Sequence, residues 1–136
     1  MRKTQRNQAR SDCPINIALE VLGDSWSLLI VRDLMFKGRK TFKEFLEAEE
    51  GIASNILTDR LARLEGSGII ARKPDPTDAR RFTYRLTETG VDLAPMMVEL
   101  VLWSSRHFKT AAPPEVIKAM IRNRARFLVG VRKNLE

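Results

Sequence analysis

Ser54-Asn55-Ile56-Leu57-Thr58-Asp59-Arg60-Leu61-Ala62-Arg63-Leu64-Glu65-Gly66, followed by Ile69-Ile70-Ala71-Arg72-Lys73 and Arg81-Phe82-Thr83-Tyr84-Arg85-Leu86, is the stretch whose reading decides the fold. At about 100° per residue, Leu57, Leu61 and Leu64 fall within about 60° of one another on a helix, and Asn55, Asp59, Ala62 and Arg63 take the opposite edge. One edge is leucine; the other is small and polar. Ser54 is placed to cap this helix, and Gly66 and Gly68 to end it. In the last run Phe82, Tyr84 and Leu86 alternate with Arg81, Thr83 and Arg85, the period of a strand with one covered face. Pro74-Asp75-Pro76-Thr77-Asp78-Ala79 between the two β runs reads as a stiff, polar hairpin tip.

Upstream, Cys13-Pro14 places Cys13 at the N-cap of a first helix with Ile15, Ala18, Leu19 and Leu22 on its apolar side, ended by Gly23. A second helix starts after Asp24 or Ser25, carries Trp26, Leu29, Ile30 and Leu34 at helical spacing, and stops at Gly38. Thr41 caps a short third helix with Phe42, Phe45 and Leu46, closed by Gly51. Downstream, Thr87 starts a long helix that runs to about Phe108, with Pro95 bending its first turns. After Pro113-Pro114, one last amphipathic helix carries Val116, Ile117, Met120, Ile121, Phe127, Leu128 and Val131 on its apolar side. Two short helices, a turn, a further helix and a β-hairpin follow the order of a winged helix-turn-helix: mainly α with a small β-hairpin wing, extended here by C-terminal dimerisation helices. The expected division is a basic flexible arm at 1–12, a winged-helix DNA-binding domain with dimerisation helices at 13–108, and a C-terminal amphipathic helix at 109–136.

The chain of 136 residues carries 24 Lys and Arg against 17 Asp and Glu, a net charge of +7. That balance favours a polyanionic partner. The excess sits in three places: four positive charges against one negative at 1–12, five against two at 69–86, and six against one at 118–136. One cysteine forms neither an internal disulfide nor a zinc cage, and one histidine excludes most His-based metal and triad chemistry. No catalytic constellation, metal or organic cofactor is expected, so an enzyme is not. Charge recurs throughout and no apolar signal core follows the basic N-terminus, so a cytoplasmic protein without a membrane partner is expected.

The chemistry concentrates at the fourth helix and the hairpin. Short hydrogen-bonding side chains near a helix N-terminus approach base edges in the major groove, which makes Ser54, Asn55, Thr58, Asp59 and Arg63 the base-reading candidates. Alone, such an edge reads as an ordinary solvated face; a basic hairpin directly after it favours double-stranded DNA. At the tip, Asp78 is placed to hold Arg80 at the angle that a narrow, strongly negative minor groove attracts, with Arg81 beside it. A solvated turn with a weak surface ion pair is the plain alternative. Arg39, Lys40, Lys43 and Arg81 are the phosphate-contact candidates, which set register without reading sequence.

Two half-sites about 34 Å apart require two readers, and one chain supplies one. The downstream helices also carry more apolar surface than a small core covers, so a homodimer is expected, with Ile15, Leu19, Leu93, Met97, Leu100, Val101, Trp103, Ile117, Ile121 and Leu128 at its interface. Packing of these helices on their own domain is the alternative. The basic side of the last helix (Lys118, Arg122, Arg126, Arg132, Lys133) faces DNA or a membrane surface in a further reading. Trp26 falls on the core stripe of its helix, and His107, one turn after Trp103, has no second ligand or nucleophile beside it.

The motifs Cys13-Pro14-Ile15, Leu19-Glu20-Val21-Leu22-Gly23-Asp24-Ser25-Trp26, Phe42-Lys43-Glu44-Phe45, Gly51-Ile52-Ala53, Leu57-Thr58-Asp59-Arg60-Leu61 and Leu86-Thr87-Glu88-Thr89-Gly90, with Trp103, together resemble the HxlR-type winged-helix transcriptional regulators. The likeness spans residues 11 to about 108. The Asp78-Ala79-Arg80 tip is more similar to the wing of the related MarR regulators, a departure from many HxlR wings. The resemblance implies a homodimer on pseudo-palindromic promoter DNA, with the fourth helix in the major groove and the wings in the minor groove. Regulators of this type with a cysteine at this place include sensors of oxidants and electrophiles, acting by an intersubunit disulfide or an adduct; others have the cysteine without that role.

Cys13 at a helix N-cap would aim its sulfur at free N–H groups, which favours thiolate, whereas Asp12 and burial oppose it. It is the possible redox sensor, or else a small capping residue beneath a dimer interface. The function these readings converge on is a sequence-specific DNA-binding transcriptional regulator, a repressor, with a small-molecule or redox effector. The alternative is a winged-helix protein-interaction module for an acidic partner, disfavoured by an aromatic content of only 7%.

Overall fold

The computed structural model describes residues 9–136; the first eight residues of the expected basic arm lie outside the described residues. Helix α1 (Pro14–Leu22) starts with proline in its first turn and Cys13 at the N-cap. Helix α2 (Ser27–Arg32) has Trp26 at its N-cap, not Asp24 or Ser25, and the Asp24 carboxylate just before it accepts the N–H of Trp26 at 2.7 Å and of Ser27 at 2.9 Å. It runs on as a π turn over Asp33–Lys37, which the regular spacing of Trp26, Leu29, Ile30 and Leu34 did not foretell, and closes on Gly38 at φ 69°. Helix α3 (Phe42–Leu46) begins with a capping box, Thr41 Oγ1 accepting the Glu44 N–H and the Glu44 carboxylate accepting that of Thr41.

Helix α4 (Ser54–Gly66) has Ala53, not Ser54, at its N-cap. Ala53 is extended and its carbonyl already takes the Leu57 N–H, so Ser54 is the first helical residue and its hydroxyl makes no cap bond. Strands β1 (Ile70–Pro74) and β2 (Phe82–Leu86) pair antiparallel in register from Ile70 opposite Leu86 to Pro74 opposite Phe82. The segment before α3 joins their edge: Thr41 bridges Thr83, and Tyr84 N–H donates to the Lys40 carbonyl at 2.8 Å.

The long helix expected after Thr87 is two: α5 (Glu88–Val91) and α6 (Ala94–His107), with Pro95 in the first turn of the second. Proline fits there because that turn has no N–H partner to lose. The expected last helix is also two, α7 (Pro114–Arg122) and α8 (Arg124–Asn134), broken at Asn123, whose side chain caps α8 through the Arg126 N–H at 3.1 Å. The architecture is therefore mainly α with a two-stranded hairpin, the winged helix-turn-helix fold.

Two compact units divide the chain after Gly90. In the first, Val31, Phe45, Leu57, Leu64 and Ile70 are the most deeply buried side chains. Gly90 is tightly held there, since a Cβ at that position would meet the Ile69 carbonyl oxygen at 2.3 Å. In the second, Val98, Leu102 and Met120 form a cluster against which Val101, Val116, Ile117, Phe127 and Leu128 pack. Among the described residues, no single helix is long and apolar enough to cross a membrane.

Leu57 is fully buried and Asn55, two residues away, is exposed. Leu57→Ala is expected to cost about 2–5 kcal/mol, and Asn55→Ala to stay within about 0.5 kcal/mol, in urea unfolding followed by circular dichroism.

Candidate nucleic-acid interface

Leu57, Leu61 and Leu64 are buried, so α4 presents Ser54, Asn55, Thr58, Asp59, Ala62 and Arg63 to solvent. Within that edge the side chains differ in freedom. Asn55 makes no side-chain hydrogen bond among the described residues, whereas the Thr58 hydroxyl donates to the Ser54 carbonyl at 2.9 Å. The Asp59 carboxylate is held by Arg60, with Nη1 at 2.5 Å, and lies 3.8 Å from Arg63 Nη1. Asp59 is thus paired with Arg60 and lies beside Arg63 on the edge.

Arg60 also ties α4 to the rest of the unit, its Nε lying 3.2 Å from Asp24 Oδ1. Burial alone would push the Asp24 carboxyl up, but hydrogen bonds from Ser27 and Trp26 and the charge of the Arg60 guanidinium together hold it below the usual carboxylate range. The sequence reading missed this pairing, because no spacing rule links positions 36 apart.

At the hairpin tip, Asp78 Oδ1 accepts the Arg80 N–H at 3.0 Å and lies 3.2 Å from Arg80 Nε. The Arg80 guanidinium holds the Asp78 carboxyl below its ordinary value, yet the arginine side chain is 91% exposed. Arg81 is exposed, with Nε 3.7 Å from Asp78 Oδ2. Nearer the base, the Arg72 guanidinium lies over the Phe82 ring, 4.3 Å from its centroid.

Of the phosphate-contact candidates, Lys40 and Lys43 are exposed and Arg39 is not free. Arg39 Nη1 binds the buried Asp33 carboxylate at 2.8 Å and Nη2 binds Glu49 at 3.0 Å. Arg32 joins Asp33 to Glu50 in the same network. A buried carboxylate needs its cations, so Arg39 serves the π turn and does not stand ready for a phosphate.

The expected interface residues divide likewise. Met97 is buried, and Val101, Ile117 and Leu128 pack on the cluster of Val98, Leu102 and Met120. Leu93 is half-buried. Ile15, Leu19, Leu100, Trp103 and Ile121 are exposed, and Phe108 and Val129, which the sequence reading did not include, join them. Trp103 makes tilted ring contacts with His107 and Phe108, at 5.5 and 5.8 Å.

Trp26, expected in the core, is half-buried and lines a cavity of about 10 Å³ with Leu29, Phe45 and Ile52, room for about one water rather than an organic effector. Cys13 is exposed. Its sulfur makes no cap hydrogen bond of ordinary geometry, but the nearby N–H of Asn16, then that of Ile15, lowers the thiol below its usual value.

A buried leucine edge, an exposed polar edge and a paired basic hairpin define a winged helix-turn-helix protein. Residues 21–112 match the HxlR-like helix-turn-helix family, and the chain belongs to that family. The uncharacterized HTH-type transcriptional regulator sll1512 of Synechocystis is 36% identical over 88 residues, 65% of this chain and 64% of that protein. The chain thus spans less than two thirds of that relative's length. The redox regulator HypR in its oxidized form superposes with a TM-score of 0.63 at 29% identity, over 72% of this chain and 100% of that one. The reduced form of the transcriptional regulator YodB from B. subtilis superposes with a TM-score of 0.59 at 33% identity, over 71% and 95%. The similar proteins and structures named here are described as transcriptional or redox regulators, none as an enzyme.

The lowered thiol gives a direct expectation. The pH at which Cys13 alkylation by iodoacetamide reaches half its maximal rate will be lower in the folded protein than in urea, and equal midpoints would contradict the N–H effect.

Proposed function

We propose that this chain is a sequence-specific DNA-binding repressor that occludes promoters as a homodimer on a pseudo-palindromic operator. The observation that carries the reading is the exposed polar edge of α4, held outward by three buried leucines. Asn55 and Arg63 read bases; Ser54 and Thr58 line the approach, and Asp59 orients its neighbouring arginines. Arg80, steadied by Asp78, enters the minor groove with Arg81 alongside. Lys40 and Lys43 hold phosphates. Exposed Ile15, Leu19, Leu100, Trp103 and Phe108 supply the dimer contacts, and the assembled regulator works in the cytoplasm without a metal or organic cofactor. The division into an arm at 1–12, a DNA-binding domain with dimerisation helices at 13–108 and a C-terminal segment at 109–136 belongs to the same proposal.

Cys13 is the switch in this reading, supported by its exposure, its lowered thiol and the likeness to a protein described as a redox regulator. Two Cys13 thiols, one from each subunit, give up two protons and two electrons to an oxidant such as diamide, which is reduced to the hydrazine as the disulfide forms. An electrophile instead adds to one thiolate. Either change alters the spacing of the two α4 helices and releases the operator.

Fluorescence polarisation on a duplex selected from a random pool tests the reading. Asn55→Ala is expected to weaken the selected duplex by about 1–3 kcal/mol and a random duplex hardly at all. Lys40→Ala with Lys43→Ala is expected to weaken both alike and to lower the salt slope by about 1 per lost contact. Equal losses on both duplexes for Asn55→Ala would remove it from the base-reading set. Diamide should release DNA from the wild type and leave Cys13→Ser bound; release from both would remove Cys13 as the sensor.

A further inference from the structure

Between α3 and α4, the turn at 47–53 carries three exposed acids, Glu47, Glu49 and Glu50, directly before the helix end that the proposed reading turns toward a duplex. Carboxylates there repel phosphate. Two of them are engaged by arginines from the α2 side of the unit. Arg32 grips both Glu50 oxygens, with Nη1 at 2.5 Å and Nη2 at 2.9 Å, and Arg39 Nη2 holds Glu49 at 3.0 Å. These arginines keep both carboxyls below their usual range.

The buried Asp33 does not need the two glutamates. Its Oδ1 already accepts from Arg32 Nε at 3.1 Å, Arg32 Nη2 at 2.8 Å and Arg39 Nη1 at 2.8 Å, which orients both guanidinium groups. The remaining donors, Arg32 Nη1 and Arg39 Nη2, reach across to the turn.

Little else ties the turn to α2. Its own N–H groups bond back toward α3 or within the turn, Glu47 to the Lys43 carbonyl, Ala48 to that of Phe45 and Gly51 to that of Ala48. Among the described residues, Glu49 and Glu50 make its only hydrogen bonds to α2 and the π turn. Ile52 is its single buried side chain, and the cavity of about 10 Å³ bordered by Arg32, Asp33, Glu50, Gly51, Ile52 and Leu57 leaves slack beneath it. The three leucines set the rotation of α4 about its axis; the turn sets where its N-terminal end stands.

We propose that Arg32 and Arg39 are positioning residues for base reading: braced on Asp33, they hold Glu50 and Glu49, fix the turn, and so set the direction in which α4 presents Asn55 and Arg63. This inference rests on the operator-binding reading of α4 and adds the device that makes that reading selective. Exposed ion pairs contribute little to stability, so the glutamates can be removed without unfolding the chain.

The test compares the full-length wild type with Glu49→Ala, Glu50→Ala on a duplex selected by the wild type and on a random one. Charge alone would tighten both equally, because two repelling carboxylates are gone. Positioning predicts instead that the selected-to-random affinity ratio falls about tenfold, the discrimination of roughly one well-placed base contact, while the random duplex is held at least as tightly as before. Amide exchange at residues 49–55 should quicken with the urea midpoint little changed. Glu49→Gln with Glu50→Gln, which keeps an oxygen to accept from each arginine, should recover part of the ratio. An unchanged ratio overturns the proposal, and so does a lowered ratio with unchanged exchange at 49–55. A wild type that shows no preference for any duplex overturns the operator reading and this inference with it, a failure told apart because it precedes any substitution.

Discussion

The inward commitment of Leu57, Leu61 and Leu64 constrains everything else in the first unit. Burying a leucine side chain contributes about 1.5–3 kcal/mol, so turning α4 far enough to expose this edge would consume much of the stability of a small domain. The helix has one rotational setting, and Asn55 and Arg63 face solvent as a consequence. Asp24 reinforces it from a second direction: the carboxylate that starts α2 also receives Arg60 from α4. One side chain thus anchors two helices, and the exposed edge of α4 stands on a fixed base.

The hairpin is supported in the same way. Lys40 and Thr41 lie along β2, so the base of the wing is held by the segment that leads into α3. Only the tip is free, and there a local carboxylate steadies the arginine without burying it. The two basic regions consequently have different character. Arg32 and Arg39 neutralise the buried Asp33 and are structural cations, while Lys40, Lys43, Arg80 and Arg81 remain in water.

The leucine edge of α4, the alternation in β2 and the proline break at 113–114 were legible because each is a local pattern with a fixed period. The misreadings have physical causes of a different kind. Ala53 took the cap from Ser54 because backbone geometry, not side-chain chemistry, decided where the helix began. The breaks between α5 and α6 and at Asn123 fell inside patterns that stay apolar at helical spacing on both sides, so periodicity alone runs straight through them. Arg39 looked like a phosphate ligand because its charge was visible in the sequence and its partner, Asp33, became buried only through tertiary packing. Val101, Ile117 and Leu128, expected at a dimer surface, also pack on the cluster of α6 and α7, and the exposed large apolar side chains are Ile15, Leu19, Leu100, Trp103, Phe108, Ile121 and Val129.

Ala62 lies in the middle of the exposed edge of α4 and offers a position from which the central claim can be read directly. An iron–EDTA group tethered through Ala62→Cys, in a Cys13→Ser background, should cut a bound duplex at two places one helical turn apart, with the strand offset of the major groove. Cleavage spread evenly along the duplex, or none while the protein remains bound, would contradict the account.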